Sequence, residues 1–437
     1  MRRDESRRLR ARAHDLIPGG AHTYAKGDDQ YPADAPGFIA RGSGCTVWDV
    51  DGNEFLEYGM GLRAVTLGHA YAPVLAAVRA QLELGVNFTR PAAIEVACAE
   101  QFLNVVAPDR DWMVKFAKNG SDATTAAVKL ARAHTGRDVV AICAGQPFFS
   151  TDDWFIGSTA MPAGVTDTTR RLTARFGFND PDSLAALFAA HPGRIAALVL
   201  EAAYQEPPAP GYLDEVRRLC DEHGTLLIVD EIINGFRIHQ RGAAHLHGLT
   251  PDLVTFAKGM ANGFSVAALA GRADVMELGG LRTRRERVFL LSSTYGAETH
   301  ALAAAMATMS VYQAEPVIDR LRELGERLAS GVRAVAAARG LSEHVDVAGH
   351  PANLVYVTRD AAGNRSQEFR TLFLDQLIRQ GIIAPSFVVS YSHTETDIDR
   401  TVEAVDHVLG TYAKALADGV EHHLSGRPVQ PVFRPYN

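Results

Sequence analysis

A single lysine at the end of an apolar run is the residue whose type and position most clearly indicate chemistry. Residues 253–257 are apolar, β-branched or aromatic, which predicts a short buried strand, and Lys258 follows them at the start of a glycine-rich turn. Burial lowers the pKa of a lysine, and such an amine can attack a carbonyl to form a Schiff base. A lysine that ends a strand and points to solvent would have the same sequence, so this run alone leaves both interpretations open.

An aspartate ends another apolar run. Asp230 follows residues 225–229, and a carboxylate at the end of a buried strand is costly unless a cation is near. From about residue 72 onward, short apolar strands alternate with helices, which predicts a mostly parallel sheet covered on both faces. Ligands of such sheets lie outside the carboxyl ends of the strands. We therefore expect Asp230 and Lys258 to face one crevice.

The turn before an alanine-rich helix could bind a phosphate. Gly120 and Ser121 lie between a predicted strand over 112–117 and a predicted helix over 122–134. Backbone N–H groups, a hydroxyl and the positive end of the helix dipole meet there. A simple helix cap by Ser121 explains the same residues. Combined with the lysine and the aspartate, the turn predicts pyridoxal 5′-phosphate (PLP), which offers a phosphate, a carbonyl for lysine and a ring nitrogen for aspartate.

Short motifs spread along nearly the whole chain point to one enzyme family. They are Pro18-Gly19-Gly20, Trp48-Asp49-Val50-Asp51-Gly52, Gly61-Leu62-Arg63, Leu67-Gly68-His69, Asn119-Gly120-Ser121-Asp122-Ala123, Val229-Asp230-Glu231, Gly235-Phe236-Arg237, Phe256-Ala257-Lys258-Gly259 and Ser293-Thr294-Tyr295-Gly296. With them the sequence resembles the class III, fold-type I PLP-dependent aminotransferases, and within these the group similar to glutamate-1-semialdehyde aminomutase. The resemblance implies an α/β fold with three segments: an N-terminal segment 1–72, a large PLP-binding domain 73–320, and a C-terminal segment 321–437 that forms a smaller α+β domain with the first.

The resemblance assigns roles to the residues of the crevice. It implies that Lys258 binds the PLP carbonyl as a Schiff base and then acts as the base and acid that move the substrate's proton. It implies that Asp230 keeps the ring nitrogen protonated, which makes the ring an electron sink. Asn119, Gly120 and Ser121 would hold the phosphate.

Three further residues are implied as cofactor contacts. Phe148 would stack on the pyridine ring. Glu201 takes the position of the glutamate in the family's Glu-Pro motif, although Ala202 replaces the proline. Thr294 resembles the threonine that reaches the phosphate of the neighbouring subunit, which implies a homodimer with shared active sites.

Departures from the family pattern lie where a substrate would bind. Phe149 and Ser150 replace the last two residues of the family's aromatic-His-Gly run, so we expect Phe149 to make the pocket more apolar. Lys26 aligns with an arginine that can hold a substrate carboxylate in relatives, and lysine lacks the bidentate fork of arginine. Arg63, in the glycine-rich loop that begins at Gly59, is a further candidate substrate contact.

The expected reaction is the transfer of an amino group from an amino-acid donor to a ketone or aldehyde acceptor in a specialised biosynthetic pathway. An intramolecular aminomutase of the glutamate-1-semialdehyde type would use the same residues. A PLP-dependent racemase, epimerase or decarboxylase is a further alternative. A relative that binds the cofactor or a partner without catalysis is the interpretation from a different class.

Composition limits the partners and the cellular location. The net charge of −7 and the isoelectric point near 6.1 favour neither nucleic acid nor a membrane surface as a partner. The four cysteines are far apart in sequence, which favours reduced thiols in a cytoplasmic protein over disulfides or a metal site. Two local patterns predict strands: a hairpin around Asp51-Gly52, and a strand over residues 288–291, just before Thr294.

Overall fold

The chain forms two compact units in a computed structural model that describes residues 1–436. The first unit contains Met1–Tyr71 together with Asp319–Arg434, and the second is built on Ala72–Ile318. The N-terminal and C-terminal segments therefore fold as one unit. Its boundaries lie within a few residues of positions 72 and 320, where the family resemblance places them.

The secondary structure of residues 1–436 contains the following elements. The strands are β1 (Ile39–Ser43), β2 (Thr46–Asp49), β3 (Glu54–Glu57), β4 (Trp112–Ala117), β5 (Val139–Cys143), β6 (Thr173–Phe176), β7 (Ile195–Leu200), β8 (Leu226–Asp230), β9 (Leu253–Phe256), β10 (Ala267–Arg272), β11 (Val345–Ala348), β12 (Val355–Thr358) and β13 (Ile382–Ile383). The helices are α1 (Asp4–Leu16), α2 (Met60–Arg63), α3 (Ala72–Leu82), α4 (Ala93–Val106), α5 (Gly120–Thr135), α6 (Asp153–Ile156), α7 (Asp167–Arg170), α8 (Pro181–Ala190), α9 (Tyr212–Glu222), α10 (Gly242–Leu246), α11 (Ala273–Met276), α12 (Thr299–Ala314), α13 (Val317–Ala338), α14 (Gln367–Arg379) and α15 (Glu395–Asp418).

The second unit is organised by a sheet with the strand order β4-β10-β9-β8-β7-β5-β6. Strand β10 runs antiparallel to both of its neighbours, and the other pairs are parallel. Every residue of β5, β7, β8 and β9 is buried, as expected for strands covered on both faces. The prediction of a mostly parallel sheet flanked by helices is confirmed.

The residues at its two ends explain where helix α5 begins and ends. The side chain of Asn119 accepts the N–H of Asp122 at 3.0 Å, which caps the first turn. Gly136 ends the helix with a φ of +68°, a left-handed conformation that glycine adopts without strain. The predicted helix over 122–134 is therefore present and is slightly longer at each end.

The first unit has a sheet of its own, in the order β1-β2-β3-β13. The predicted hairpin is present: β2 and β3 pair antiparallel around Gly52, which has a φ of +81°. Val47, Phe55, Leu374 and Ile378 pack together beneath this sheet. Helices α14 and α15 also belong to this unit, which is therefore an α+β structure.

The predicted strand over residues 288–291 is wrong. The side chain of Phe289 is 70% exposed, and Val288 donates its N–H to the carbonyl of Leu278 rather than to a neighbouring strand. High strand propensity does not produce a strand where no backbone partner is available. Strand β10, which lies between β4 and β9, was not predicted because its Ala- and Gly-rich sequence has little strand propensity. No helix within residues 1–436 is long and apolar enough to cross a membrane.

Candidate active site

The parallel pairing of β8 with β9 brings the aspartate and the lysine to the same edge of the sheet. Asp230 lies opposite Thr255, and the N–H of Glu231 donates to the carbonyl of Thr255 at 2.9 Å. Strand β9 ends at Phe256, and Lys258 follows at its carboxyl end. The two charged residues therefore occupy adjacent strand ends, as the sequence predicted.

Asp230 is a buried carboxylate with few partners. Its side chain is 4% exposed, and its Oδ1 atom accepts the N–H of Ile232 at 2.8 Å. Burial raises the pKa of Asp230 to about 6, against the opposing effects of the Ile232 N–H and the positive charge of Lys258. A protonated ring nitrogen of PLP would supply a second cation to this carboxylate, so the aspartate fits the cofactor.

Lys258 is positioned by a strained turn. It is half-buried and has a φ of +43°, which is left-handed and costs energy for any residue other than glycine. The turn continues as a short 3₁₀ helix over Lys258–Ala261, and Asn262 also has a left-handed φ of +46°. Because its charge acts on buried Asp230, the geometry favours the Schiff-base interpretation over a lysine that points to solvent.

The start of α5 lies directly against the turn that follows Asp230. A Cβ atom on Gly120 would come within 2.5 Å of the Cδ1 atom of Ile232, so glycine permits a contact that alanine would obstruct. The Asn119 side chain occupies only the N–H of Asp122, which leaves other N–H groups of the first turn available to a phosphate. The hydroxyl of Ser121 accepts the N–H of Thr151 at 3.1 Å and retains its own proton for donation.

Ile232 is a functional residue that the sequence analysis did not identify. It both donates to Asp230 and packs against Gly120, so it fixes the distance between the expected ring-nitrogen and phosphate contacts. The available signal was its position two residues after an aspartate, where an Asx-type turn is common.

The structure places the two phenylalanines of the altered run differently. Phe148 is 44% exposed, and its ring forms a T-shaped contact with Phe155 at a centroid distance of 5.7 Å. Phe149 is only 1% exposed, and its ring packs against Phe155 inside the unit. The expectation that Phe149 lines a substrate pocket is therefore wrong. The reason is that Thr124 of α5 donates to the carbonyl of Phe149 at 2.6 Å and holds this segment against the helix.

Glu201 lies at the carboxyl end of β7 and is fixed by a partner that the sequence did not reveal. Gln146 donates to the carbonyl of Glu201 at 2.7 Å and accepts its N–H at 2.8 Å. Both side chains are buried. The loop after β5 and the end of β7 are therefore joined at the same sheet edge as Asp230.

Thr294 lies in an exposed turn of the second unit. Its carbonyl accepts the side-chain N–H of Asn87 at 3.1 Å, and its side chain is exposed. This exposure leaves the hydroxyl accessible to another molecule.

The two candidate carboxylate contacts belong to the first unit. Lys26 ends a 3₁₀ helix, is exposed, and lines a cavity of about 460 Å³ whose apolar walls include Phe38 and Leu62. Arg63 lies in a turn with left-handed backbone and donates its Nε–H to the side-chain oxygen of Asn353 at 2.7 Å. Arg63 is thus held within its own unit, whereas Lys26 faces a cavity.

The sheet edge, the buried aspartate beside a lysine and the phosphate-ready helix start define a PLP-dependent enzyme of fold type I. The sequence pattern of the family described as Aminotransferase class-III matches residues 27–409. The chain belongs to the class III aminotransferase family.

Individual relatives resemble the chain over almost all of its length. A glutamate-1-semialdehyde 2,1-aminomutase from a strain of Thermus thermophilus is 33% identical over 421 residues, which cover 90% of this chain and 96% of the relative. A solved structure of the FumI protein of Sphingopyxis sp. MTA144, in its PLP internal aldimine form, has a TM-score of 0.86 and 28% identity, and 97% of this chain and 98% of that chain are covered. A structure described as a transaminase with PLP bound has a TM-score of 0.84 and 26% identity, over 96% of this chain and 99% of that one.

Proposed function

We propose that the protein is a PLP-dependent aminotransferase that moves an amino group from an amino-acid donor to a ketone or aldehyde acceptor in a specialised biosynthetic pathway. The observation that carries the proposal is the buried carboxylate of Asp230 next to Lys258 at one sheet edge. When bound, PLP supplies an electron sink for proton exchange at the carbon that bears the amino group.

Each residue of the edge has a definite task in this proposal. Asp230 would keep the ring nitrogen protonated, because a buried carboxylate attracts a nearby positive charge strongly. Lys258 would hold the cofactor through its amine and would serve as the base and acid that move the proton of the substrate carbon. The N–H groups of Gly120 and Ser121 would hold the phosphate, and the exposed side chain of Phe148 would stack on the ring.

The replacement of the family's arginine by Lys26 supports an acceptor other than a simple carboxylate, because a lysine offers a point charge in place of a guanidinium fork. The acceptor we propose is a specialised ketone or aldehyde, such as a cyclic compound.

An intramolecular aminomutase is the second candidate. It is favoured by the name of the relative from Thermus thermophilus, a glutamate-1-semialdehyde 2,1-aminomutase. The solved relative described as a transaminase favours the first candidate. The same lysine and aspartate would serve either reaction, so the two differ in whether the amino group leaves the original substrate.

We also propose a homodimer in which Thr294 of each subunit contacts the phosphate of the other. Support comes from the exposed turn at Thr294 and from large apolar side chains that are exposed on the same unit. These side chains are Leu82, Leu84, Phe88, Val96, Leu281, Phe289 and Tyr295. Apolar surface of this extent favours a partner subunit.

A cytoplasmic location is the proposal for where the enzyme works. Its four cysteines are buried free thiols, the form that a reducing compartment maintains. Cell fractionation tests this location. The protein should be found in the soluble fraction of lysed cells, and its detection in the membrane fraction or outside intact cells would contradict the proposal.

The test of the function is a half-reaction. Amino donors are added singly, without an acceptor, to the purified holoenzyme, and the visible absorbance of the lysine-bound cofactor is followed. An aminotransferase loses this absorbance and accumulates the aminated cofactor with its proper donor. Lys258→Ala does not make this conversion, whereas Lys129→Ala, which removes an exposed lysine of α5, does.

Two outcomes would contradict the proposal. If no donor converts the cofactor, transamination is wrong. If one compound is both consumed and isomerised, without a second substrate and without release of a keto product, the aminomutase is the correct alternative.

A further inference from the structure

Two arginines line a small cavity in the second unit, together with mainly apolar residues. It has a volume of about 90 Å³ and is lined by Arg110, Trp112, Arg241 and His245, among other residues. Neither arginine forms an ion pair with a carboxylate within residues 1–436. Two half-buried guanidinium groups therefore share a cavity without a carboxylate as counter-charge.

This cavity lies away from the cofactor edge. Trp112 is the first residue of β4, and Thr250 and Pro251 of the cavity wall immediately precede β9. Strands β4 and β9 run in the same direction, because each is antiparallel to β10. The two arginines are therefore beside the amino ends of these strands, although the side chain of Phe256, at the carboxyl end of β9, also lines the cavity.

Both arginines are held in place by neutral partners. The guanidinium of Arg110 lies over the ring of Trp112 at 5.2 Å, and it donates to the hydroxyl of Thr250 at 3.4 Å. Arg241 donates its Nε–H to the carbonyl of Val106 at 3.2 Å. The remaining N–H groups of the two forks are available to a ligand that enters the cavity.

The two arginines repel each other, and their charges also disfavour protonation of the nearby histidines. Burial and the charge of Arg241 lower the pKa of Arg110. Burial, followed by Arg241 and Arg110, lowers the pKa of His245. Nearby His239 is affected in the same way, since burial, His245 and Arg241 lower its pKa to about 4. No carboxylate acts on any of these three groups, so an anion would relieve the repulsion.

We propose that this cavity binds a small oxyanion, either inorganic phosphate or the phosphate group of a small monoester. Arginine forks match phosphate oxygens in geometry and charge. The volume has room for several water molecules, each of which needs about 10–15 Å³, and therefore for an ion of this size. The proposal does not depend on the reaction at Lys258.

The test uses the holoenzyme, in which the cofactor's own phosphate occupies the start of α5. Binding of inorganic phosphate and of a simple phosphate monoester is measured by titration calorimetry, with the ionic strength held constant by potassium chloride. Wild-type protein is expected to bind one phosphate group per chain, and Arg110→Gln and Arg241→Gln are expected to bind about tenfold or more weakly. Tighter binding of the monoester, or of inorganic phosphate, identifies the source of the ligand.

Two further variants make the result decisive. Arg284→Gln removes an exposed arginine of the same unit and is expected to bind as wild type. Arg241→Lys keeps the charge and the packing of the side-chain stem, so it should fold normally and bind more tightly than Arg241→Gln but less tightly than wild type. The proposal is overturned if wild-type protein binds neither ligand in excess of chloride, or if all the Arg110 and Arg241 variants bind like wild type.

Discussion

Asp230 is a buried carboxylate that needs a nearby cation to offset its loss of contact with water. Its burial raises the pKa, and the N–H of Ile232, the charge of Lys258 and the hydroxyl of Thr255 oppose that rise only in part. In the cofactor-free protein this residue should therefore destabilise the fold at neutral pH. The same property makes it an effective partner for a protonated ring nitrogen.

Asp230→Asn tests this electrostatic cost through the pH dependence of stability. A folded-state pKa of about 6, raised from about 4, means that the folded protein binds more protons than the unfolded chain between these values. Stability from this residue therefore falls as the pH rises from about 4 to 6, by up to about 3 kcal/mol. Cofactor-free Asp230→Asn should match wild type near pH 4 and exceed its unfolding free energy at pH 7.

Urea unfolding at fixed protein concentration measures this difference. Asp182→Asn, at an exposed aspartate of α8, is the matched control and should show no growing gap from wild type. If the unfolding free energies of Asp230→Asn and wild type differed by the same amount at pH 4 and at pH 7, the proposed electrostatic cost of Asp230 would be wrong.

The residues that could be recognised from the sequence are those that break the local sequence pattern. They are a lysine and an aspartate at the ends of apolar strands, and a glycine before a helix. Ile232 and Gln146 were missed because an ordinary isoleucine or glutamine gains its role only through contact with a residue far along the chain or in another turn. Phe149 was misassigned because sequence does not show which of two adjacent rings turns inward.

At the scale of elements, the position of α5 relative to the end of β8 sets the length of the cofactor site. Gly120 allows the helix to approach Ile232. Gly120→Ala is expected to push the helix start away and weaken PLP binding about tenfold or more, because phosphate hydrogen bonds depend steeply on distance. Equilibrium dialysis of PLP against the cofactor-free protein measures this change.

The matched control for this variant removes the obstructing methyl group. In Gly120→Ala/Ile232→Val the Cδ1 atom that meets the new Cβ is absent, so most of the PLP affinity should return. Equal affinity in Gly120→Ala and wild type would show that this contact does not set the site.

Helix α10 is fixed by a buried glutamate next to Asp230. Glu231 accepts the N–H groups of Ala243 and Ala244 at 2.8 and 2.7 Å. Glu231→Ala leaves both donors buried without a partner, so the free energy of unfolding should fall by about 2–4 kcal/mol. Glu231→Gln, which keeps one acceptor oxygen, should lose less; equal losses in denaturant unfolding would contradict this role.

Most of the sheet could be predicted because its parallel strands are buried on both faces and have continuous apolar sequences. Strand β10 and residues 288–291 show the limit of that signal. In β10, small residues form a strand because β4 and β9 supply backbone partners on both sides. Residues 288–291 have the better strand composition, but Val288 bonds to Leu278 and no strand forms.

At the scale of the whole molecule, the proposed dimer predicts that two inactive variants complement each other. Lys258→Ala lacks the attaching lysine, and Thr294→Asp places a negative charge against the partner's phosphate. A mixed dimer has one site with an intact lysine and an intact threonine from the partner. Random mixing after dissociation should therefore restore about a quarter of wild-type activity.

The complementation assay has a direct control. A mixture of Lys258→Ala with Lys258→Ala/Thr294→Asp contains no complete site and should stay inactive. If the first mixture also stays inactive while native mass spectrometry shows mixed dimers, the sites are not shared.

Lys258 is proposed to attach the cofactor covalently, and borohydride reduction followed by peptide mapping measures that attachment. Reduction of the holoenzyme should leave the pyridoxyl group on the peptide that contains Lys258, at about one per chain. Lys258→Ala should carry none, and Lys129→Ala should be labelled like wild type. A label on another lysine, or no label on a holoenzyme that contains PLP, would contradict the account.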